Sequence, residues 1–198
     1  MSRVLTVYYG LQSTWTYLGW ARLRELVART GADARYRPVQ SGPLFQASGT
    51  LPLAQRPPQR QAYRLMELRR WRDHLELPLN LHPKHFPVDE APAARMVIAH
   101  RQRGGDIAAL SQAMLSAVWA EERNLADRDT LLEIAREQGA DGPALLAAAD
   151  DDDNVQSEYQ ANTHAAIEHG VFGVPAFVIG DELFWGQDRL DFVARALA

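Results

Sequence analysis

Near its end the chain reads Val171-Phe172-Gly173-Val174-Pro175-Ala176-Phe177, in which a proline separates an apolar loop from a β-rich run. A proline can begin a strand at such a point without breaking its ladder of hydrogen bonds. If the Val174-Pro175 bond is cis, the backbone of Val174 leaves the sheet and can pair with an extended, peptide-like ligand. The alternative is a trans proline that opens an edge strand, which is the commoner form of an X-Pro bond.

Composition limits the class of protein. The chain has 198 residues, 46% of them hydrophobic and 23% charged, which is enough for one core with or without an inserted lobe. Its net charge of −4 offers no basic surface for nucleic acid. No apolar run approaches the roughly 20 residues of a membrane span, and residues 1–10 lack the apolar core of a signal peptide. We therefore expect a cytoplasmic protein that binds neither nucleic acid nor membranes.

The sequence contains no cysteine. This excludes disulfide bonds, thiolate metal ligands and a thiol nucleophile supplied by the protein. His82 and His85 come closest to a metal-binding pair, but the sequence around them offers no third ligand, so we expect no metal site. Any sulfur chemistry must use a thiol from outside the chain.

Strand and helix patterns distinguish the two ends of the chain from its middle. Strands are predicted at 4–9, 34–39, 176–179 and 182–185. A helical pattern at 16–29 joins the first two strands into a parallel β-α-β unit. A helix capped by Asp188 follows the last two strands and gives β-β-α. The two ends, residues 1–42 and 171–198, are therefore predicted to form one domain.

The middle of the chain, residues 43–170, has almost no strand signal and is predicted to be an inserted helical domain. Its first segment, 43–58, is rich in Pro, Gly, Ser and Gln and is interpreted as an irregular loop that covers or borders a ligand site. Helical patterns follow at 59–75, 92–101, 107–121, 129–138, from 142 onward, and at 155–169. The acidic run 150–153 is interpreted as the N-terminal cap of the last of these helices.

This order of elements, with Val174-Pro175 at the start of the third strand, resembles an α/β, thioredoxin-like fold with a large helical insertion, as in DsbA-like proteins and kappa-class glutathione transferases. In that fold the catalytic position lies between the first strand and the first helix, where this chain reads Ser13-Thr14-Trp15-Thr16. The redox members carry Cys-x-x-Cys at this position. Serine and threonine cannot exchange disulfides, so a disulfide oxidoreductase of the usual kind is excluded.

Ser13 is the candidate catalytic residue. Non-redox relatives carry a serine there, commonly within Ser-Pro-Tyr-x-Tyr/Trp-Leu-Gly/Ala, and this chain follows the pattern except that Thr14 replaces the proline and Trp15 the first tyrosine. A hydroxyl at a helix N-terminus can donate to a thiolate, which free N–H groups and the helix dipole also favour. The alternative, favoured by the local sequence taken by itself, is that Ser13 only caps the helix.

The motifs Gly-Val-Phe-Gly-Val-Pro-x-Phe-Val and Phe-Trp-Gly-Gln-Asp-Arg-Leu resemble the end of the 2-hydroxychromene-2-carboxylate isomerase family. The resemblance implies glutathione as the cofactor, with the backbone of Val174, beside Pro175, on its cysteinyl unit. It further implies that Gln187 and Asp188 hold the γ-glutamyl end. An aspartate suits an ammonium group and a helix N-terminus suits a carboxylate. A plain helix cap explains Asp188 equally well.

The resemblance is looser in the middle of the chain. It places Thr50 where the family has an asparagine that contacts glutathione, and Arg60 near a usual lysine, so both are candidate glutathione ligands. Trp15 and Trp185 flank the proposed site and are candidate walls for an aromatic substrate. Arg60 and Lys84 are both candidates for the substrate carboxylate, and the sequence does not choose between them.

The resemblance implies a glutathione-dependent isomerase of aromatic catabolism that interconverts a hydroxychromene carboxylate with its ring-opened benzylidenepyruvate. A bound thiolate would add to the conjugated double bond, permit rotation and then leave, so that glutathione is not consumed. Two alternatives stay open: a kappa-like glutathione transferase that releases a conjugate, and a non-catalytic thioredoxin-like protein that binds a peptide or glutathione. The expected partner is a small aromatic carboxylate, and a homodimer is compatible with the resemblance.

Overall fold

A four-stranded sheet joins the two ends of the chain. The computed structural model describes residues 3–198, so Met1 and Ser2 of the predicted first domain lie outside the described residues. The strands are β1 (Val4–Tyr9), β2 (Asp33–Pro38), β3 (Ala176–Ile179) and β4 (Glu182–Trp185). They lie in the order β2-β1-β3-β4, with β1 parallel to β2 and antiparallel to β3, and with β3 antiparallel to β4. The predicted thioredoxin-like fold is confirmed.

Helices cover both faces of the sheet and make up the insertion. They are α1 (Thr14–Thr30), α2 (Ser41–Ser48), α3 (Pro58–Leu75), α4 (Ala91–Gln102), α5 (Ile107–Trp119), α6 (Arg128–Glu137), α7 (Gly142–Asp151), α8 (Asp153–Glu168) and α9 (Leu190–Leu197). Short 3-10 turns occur at Leu53–Gln55 and Gln187–Arg189. Within residues 3–198, none of the helices combines the length and the apolar character that crossing a membrane requires.

The interpretation of 43–58 as an irregular loop is wrong in its first part, which belongs to α2. Leu44 is fully buried and draws this helix onto the sheet. Pro43 lies in the first turn, where the N–H that it lacks has no helical partner in any case. Gly49 then ends the helix with a left-handed backbone, φ 68°. Composition hid the helix because glycine and proline are read first as loop residues.

The acidic run 150–153 is divided between two helices. Asp152 caps α8 as predicted, because its side chain accepts a hydrogen bond of 2.8 Å from the backbone N–H of Asn154. Asp150 instead belongs to the end of α7 and pairs with Arg128 at 2.7 Å. Only part of the run therefore acts as the predicted cap.

The sheet has a hydrophobic layer on each face. On one face Leu5, Val7 and Phe177 pack under α1 and α9, in a core that continues without a break into the helices of the insertion. On the other face Tyr8 and Ala176 pack against α2 and α8. Because both layers converge on β1 and β3, the loops that follow β1 and precede β3 are held side by side at one end of the sheet.

Candidate functional site

Ser13 lies at the N-terminus of α1, at the end of the sheet where β1 runs into the helix. Its backbone is extended, φ −76° and ψ 117°, and its Oγ accepts a hydrogen bond of 3.2 Å from the N–H of Thr16. The same Oγ donates to the carbonyl oxygen of Val174 at 3.3 Å. The structure thus brings together the two residues that the sequence motifs singled out 161 positions apart.

The Val174-Pro175 bond is cis, the form on which the peptide-binding interpretation depended. Val174 is 8% exposed, and its N–H donates to no residue in the described part of the chain, while its carbonyl oxygen accepts from Ser13. The carbonyl oxygen of Pro175 accepts from the N–H of Gly186 at 2.9 Å. Val174 therefore offers one unpaired backbone donor beside Ser13.

The N-terminus of α1 is rich in unpaired donors. The N–H groups of Thr14 and Trp15 donate to no residue between 3 and 198, and the first turn of the helix contains no acidic residue. Arg64, from α3, donates from Nη2 to Oγ1 of Thr14 at 2.6 Å. These groups make the surroundings of Ser13 favourable for an anion.

Sequence reasoning missed Arg64, although a signal was present. Arg60 and Arg64 are four residues apart on α3 and so share one face of that helix. Arg60 is exposed on this face, and Lys84 is exposed in the connection between α3 and α4. Of the three cations, only Arg64 joins the hydrogen bonds at the start of α1.

Thr50 contacts the loop that precedes Pro175. Its Oγ1 donates to the carbonyl oxygen of Phe172 at 3.2 Å and accepts from Oγ of Ser48 at 2.9 Å. The end of α2 is thereby fixed beside this loop, and with it Thr50, the residue that the family resemblance makes a candidate glutathione ligand.

Two aromatic residues are exposed at the site. Trp185 is 50% exposed and Phe172 is 41% exposed, and their rings lie 4.8 Å apart. Gly173 makes room for this pair, because a Cβ at that position would lie 2.6 Å from Nε1 of Trp185. Trp15, the other predicted aromatic wall, is partly buried and packs against the main core.

Gln187 and Asp188 lie in the 3-10 turn that precedes α9. Gln187 is 2% exposed, and its Oε1 accepts a hydrogen bond from Arg22, so its side chain points into the protein. Asp188 is exposed and pairs with Arg189 at 3.3 Å. The expectation that Asp188 caps the last helix is wrong, since α9 begins after Arg189 without a side-chain cap. The carboxylate of Asp188 is accessible to a ligand.

A buried carboxylate that the sequence did not reveal supports the loop before Ser13. Glu90, at the start of α4, is 5% exposed. Its Oε2 accepts from the backbone N–H of Gln12 at 2.8 Å, and its Oε1 accepts from Nε2 of Gln12 at 3.2 Å and from Oγ of Ser41 at 2.8 Å. Burial raises the pKa of Glu90, while the hydrogen bonds from Gln12 and Ser41 oppose that rise.

Known proteins resemble this chain over nearly its full length. The family model described as a DSBA-like thioredoxin domain matches residues 4–198. The chain is 30% identical to a 2-hydroxychromene-2-carboxylate isomerase of Sphingobium xenophagum, over 100% of this chain and 99% of the relative. It is 24% identical to glutathione S-transferase kappa 1 of Rattus norvegicus, over 98% and 91%. A solved structure of 2-hydroxychromene-2-carboxylate isomerase superposes with a TM-score of 0.80 at 27% identity and covers 98% of this chain and 94% of that one.

Proposed function

Because the chain belongs to the 2-hydroxychromene-2-carboxylate isomerase family within the DsbA-like thioredoxin fold, we propose that it is a glutathione-dependent isomerase of an aromatic keto acid. The observation that carries this proposal is the contact between Oγ of Ser13 and the carbonyl oxygen of Val174, 3.3 Å apart. It joins a hydroxyl at a helix N-terminus to a backbone segment with an unpaired N–H. That combination suits a small peptide with a thiol.

The residues at the site fit glutathione. The free N–H of Val174 suits the backbone of a cysteinyl unit, and the exposed carboxylate of Asp188 suits an ammonium group. Arg60 is exposed without an ion-pair partner within residues 3–198 and suits a carboxylate. Thr50 and Gln187 belong to the same surroundings, with Gln187 contributing through its backbone N–H because Arg22 engages both its side-chain oxygen and its backbone carbonyl.

Glutathione, when bound, supplies a thiolate that adds reversibly to a conjugated double bond. Ser13 favours the anion by turning its hydroxyl proton away from the carbonyl oxygen of Val174 and toward the sulfur. The free N–H groups of Thr14 and Trp15 and the dipole of α1 act in the same direction. The chain has no cysteine, so the site offers no second thiol with which disulfide exchange could compete.

The exposed aromatic residues at the site favour an aromatic substrate. Phe172 and Trp185 lie against each other beside Val174, and both side chains are exposed to the solvent. A planar aromatic substrate can stack on such rings and exclude water from the reacting double bond. This supports an arylidene keto acid as the substrate, held between the aromatic pair and the N-terminus of α1.

The proposal is tested by following the absorbance of trans-o-hydroxybenzylidenepyruvate with and without glutathione. We expect turnover only with glutathione, at amounts far below the substrate, and with the free thiol fully recovered at the end. Loss of one thiol per product would instead identify a glutathione transferase. Absence of glutathione binding at millimolar concentration in calorimetry would contradict both enzymes and favour a peptide-binding protein.

A further inference from the structure

Arg64 is a partly buried cation without an acidic partner. In the part of the chain that the structure describes, it forms no ion pair, whereas exposed arginines such as Arg101 and Arg128 each pair with a carboxylate. Taking a charge out of water is costly unless an opposite charge compensates for it. The protein itself does not supply that compensation for Arg64.

The hydrogen bonds of Arg64 leave most of its donors unused. Nη2 donates to Oγ1 of Thr14 at 2.6 Å, and neither Nε nor Nη1 donates to a residue within 3–198. A guanidinium has five N–H donors in a planar fork, which matches the two oxygens of a carboxylate. Arg64 is thus held at one nitrogen and has further donors for a planar anion.

Aromatic rings lie below the guanidinium. Its central carbon is 5.6 Å from the ring centre of Phe86 and 5.9 Å from that of Trp119, and these two rings are 4.8 Å apart. Ring faces attract a cation and hold the plane of the fork in a fixed orientation. The two rings therefore fix the orientation in which Arg64 presents its remaining donors to an anion.

The charge of Arg64 is present at neutral pH but is unfavourable there. Burial, followed by the nearby charge of Arg56, lowers its pKa to about 10. Arg60, one turn earlier on α3, is exposed. The flexible, polar carboxylates of a tripeptide suit Arg60 at the surface, whereas a carboxylate attached to an aromatic ring system suits Arg64.

We propose that Arg64 binds the carboxylate of the aromatic keto acid and that Thr14 holds the guanidinium in place. The inference rests on the proposed function for the identity of the substrate. Thr14 follows Ser13 directly, so a carboxylate on Arg64 keeps the conjugated part of the same molecule beside the N-terminus of α1. The hydroxyl of Thr14, which a proline at this position would lack, acquires a physical role as the acceptor for Arg64.

The test measures binding without chemistry. Benzylpyruvate has the keto acid and the ring but no double bond for a thiolate to attack, and benzylacetone lacks only its carboxylate. We expect the wild-type protein to bind benzylpyruvate about 10- to 100-fold more tightly than benzylacetone, as one charged bidentate contact predicts. Arg64→Leu should abolish this preference, Arg64→Lys should retain part of it, and both should bind glutathione as the wild type does.

Two further variants separate the roles. Arg69→Leu removes an exposed arginine of the same helix and should change nothing, while Thr14→Val should weaken benzylpyruvate binding less than Arg64→Leu does. Equal binding of benzylpyruvate and benzylacetone to the wild type would overturn the inference. So would an Arg64→Leu variant that loses glutathione affinity as strongly as benzylpyruvate affinity, because the anion would then be glutathione.

Failure of this inference is distinguishable from failure of the proposed function. If the wild type isomerises its substrate and Arg64→Leu has the same KM, the carboxylate site is wrong and the isomerase stands. If the wild type shows no isomerisation but Arg64 still governs benzylpyruvate binding, the keto acid site stands and the reaction assigned to it is wrong.

Discussion

Ser13 uses one hydroxyl group for two purposes. As an acceptor it caps α1 through the N–H of Thr16, and as a donor it contacts the carbonyl oxygen of Val174. A hydroxyl has one proton and two lone pairs, so capping does not consume the donor that a thiolate requires. The structural and the catalytic interpretations of this residue are therefore compatible, and a substitution that removes the hydroxyl affects both.

Replacement of Ser13 by alanine should separate a small stability loss from a large activity loss. The lost cap costs about 1 kcal/mol of unfolding free energy. The lost donor should lower kcat by roughly 10²-fold and raise the pKa of the bound thiol, because one preorganised hydrogen bond to the reacting anion is gone. Stopped-flow kinetics measure the fall in kcat, and the pH dependence of thiolate absorbance measures the rise in the pKa of the bound thiol. Ser157→Ala, an exposed serine on α8, is the control, and unchanged kinetics in Ser13→Ala would remove the assigned role.

Local sequence could single out Ser13 and Val174 but not Arg64 or Glu90. The first two belong to short motifs in which residue type and position carry the information. Arg64 is distinctive because no acidic side chain within residues 3–198 pairs with it. Glu90 is distinctive because its carboxylate is buried against Gln12 and Ser41. These properties arise only when α3 packs against the start of α1 and α4 packs against the loop after β1, which no local pattern specifies.

At the scale of elements, the site depends on how closely α1 approaches the 3-10 turn before α9. Gly19 faces Gln187 at this contact, and a Cβ on Gly19 would lie 2.6 Å from Cβ of Gln187. Arg22, one helical turn later, donates to the side chain and the backbone carbonyl of Gln187. The absence of a side chain at Gly19 and the two hydrogen bonds from Arg22 to Gln187 together fix the turn that carries Asp188.

Gly19→Ala should therefore push the turn away from α1. Overpacking of this kind costs about 1 to 3 kcal/mol, and we expect glutathione affinity to fall because Asp188 moves with the turn. Gly42→Ala is a matched control in α2, since no atom lies within 4 Å of its added Cβ and alanine favours a helix. Urea denaturation and calorimetry check the two variants. A Gly19→Ala protein with wild-type stability and affinity would contradict this account of the contact.

Helices with regular apolar spacing were predictable, and α2 was not. The pattern of α5 predicted residues 107–121 and the helix covers Ile107–Trp119. In α2 only Leu44 is buried, so the eight residues of the helix show a single buried position and no periodicity of burial. The helix is stabilised by contact with the far side of the sheet, where α8 also packs, and such tertiary support is invisible in a short segment.

At the scale of the whole molecule, the inserted helices and the sheet share one core. Tyr9 of β1 bonds to Ser111 of α5 through their hydroxyl groups at 2.8 Å, and Nε1 of Trp20 donates to the carbonyl oxygen of Ala108 at 2.9 Å. Composition predicted that residues 43–170 form a domain separate from residues 1–42. The two parts are distinct along the sequence but not in their packing, because the same buried cluster includes Val7 of the sheet and residues of α4 to α7.

Glu90 is a buried carboxyl group at this junction, and it should make stability depend on pH. Burial raises the pKa of Glu90 above the roughly 4.3 of an unfolded glutamate, so between these two values the folded state binds more protons than the unfolded state. The unfolding free energy must then fall as pH rises from the unfolded pKa through the folded pKa, and it levels off above it.

Glu90→Gln removes the titrating carboxyl group and should therefore flatten the fall in unfolding free energy with pH. The substitution also alters the hydrogen bonds to Gln12 and Ser41, which changes the absolute stability but not this slope. Urea denaturation in steps from about pH 4 to about pH 8 measures the slope, and Glu182→Gln, an exposed glutamate in β4, should keep the wild-type slope. An equal slope in Glu90→Gln and wild type would show that Glu90 is not the titrating group. If the slope flattens and glutathione affinity is unchanged, Glu90 stabilises the fold without affecting the site. If glutathione affinity falls as well, the carboxylate of Glu90 also positions the loop that carries Ser13.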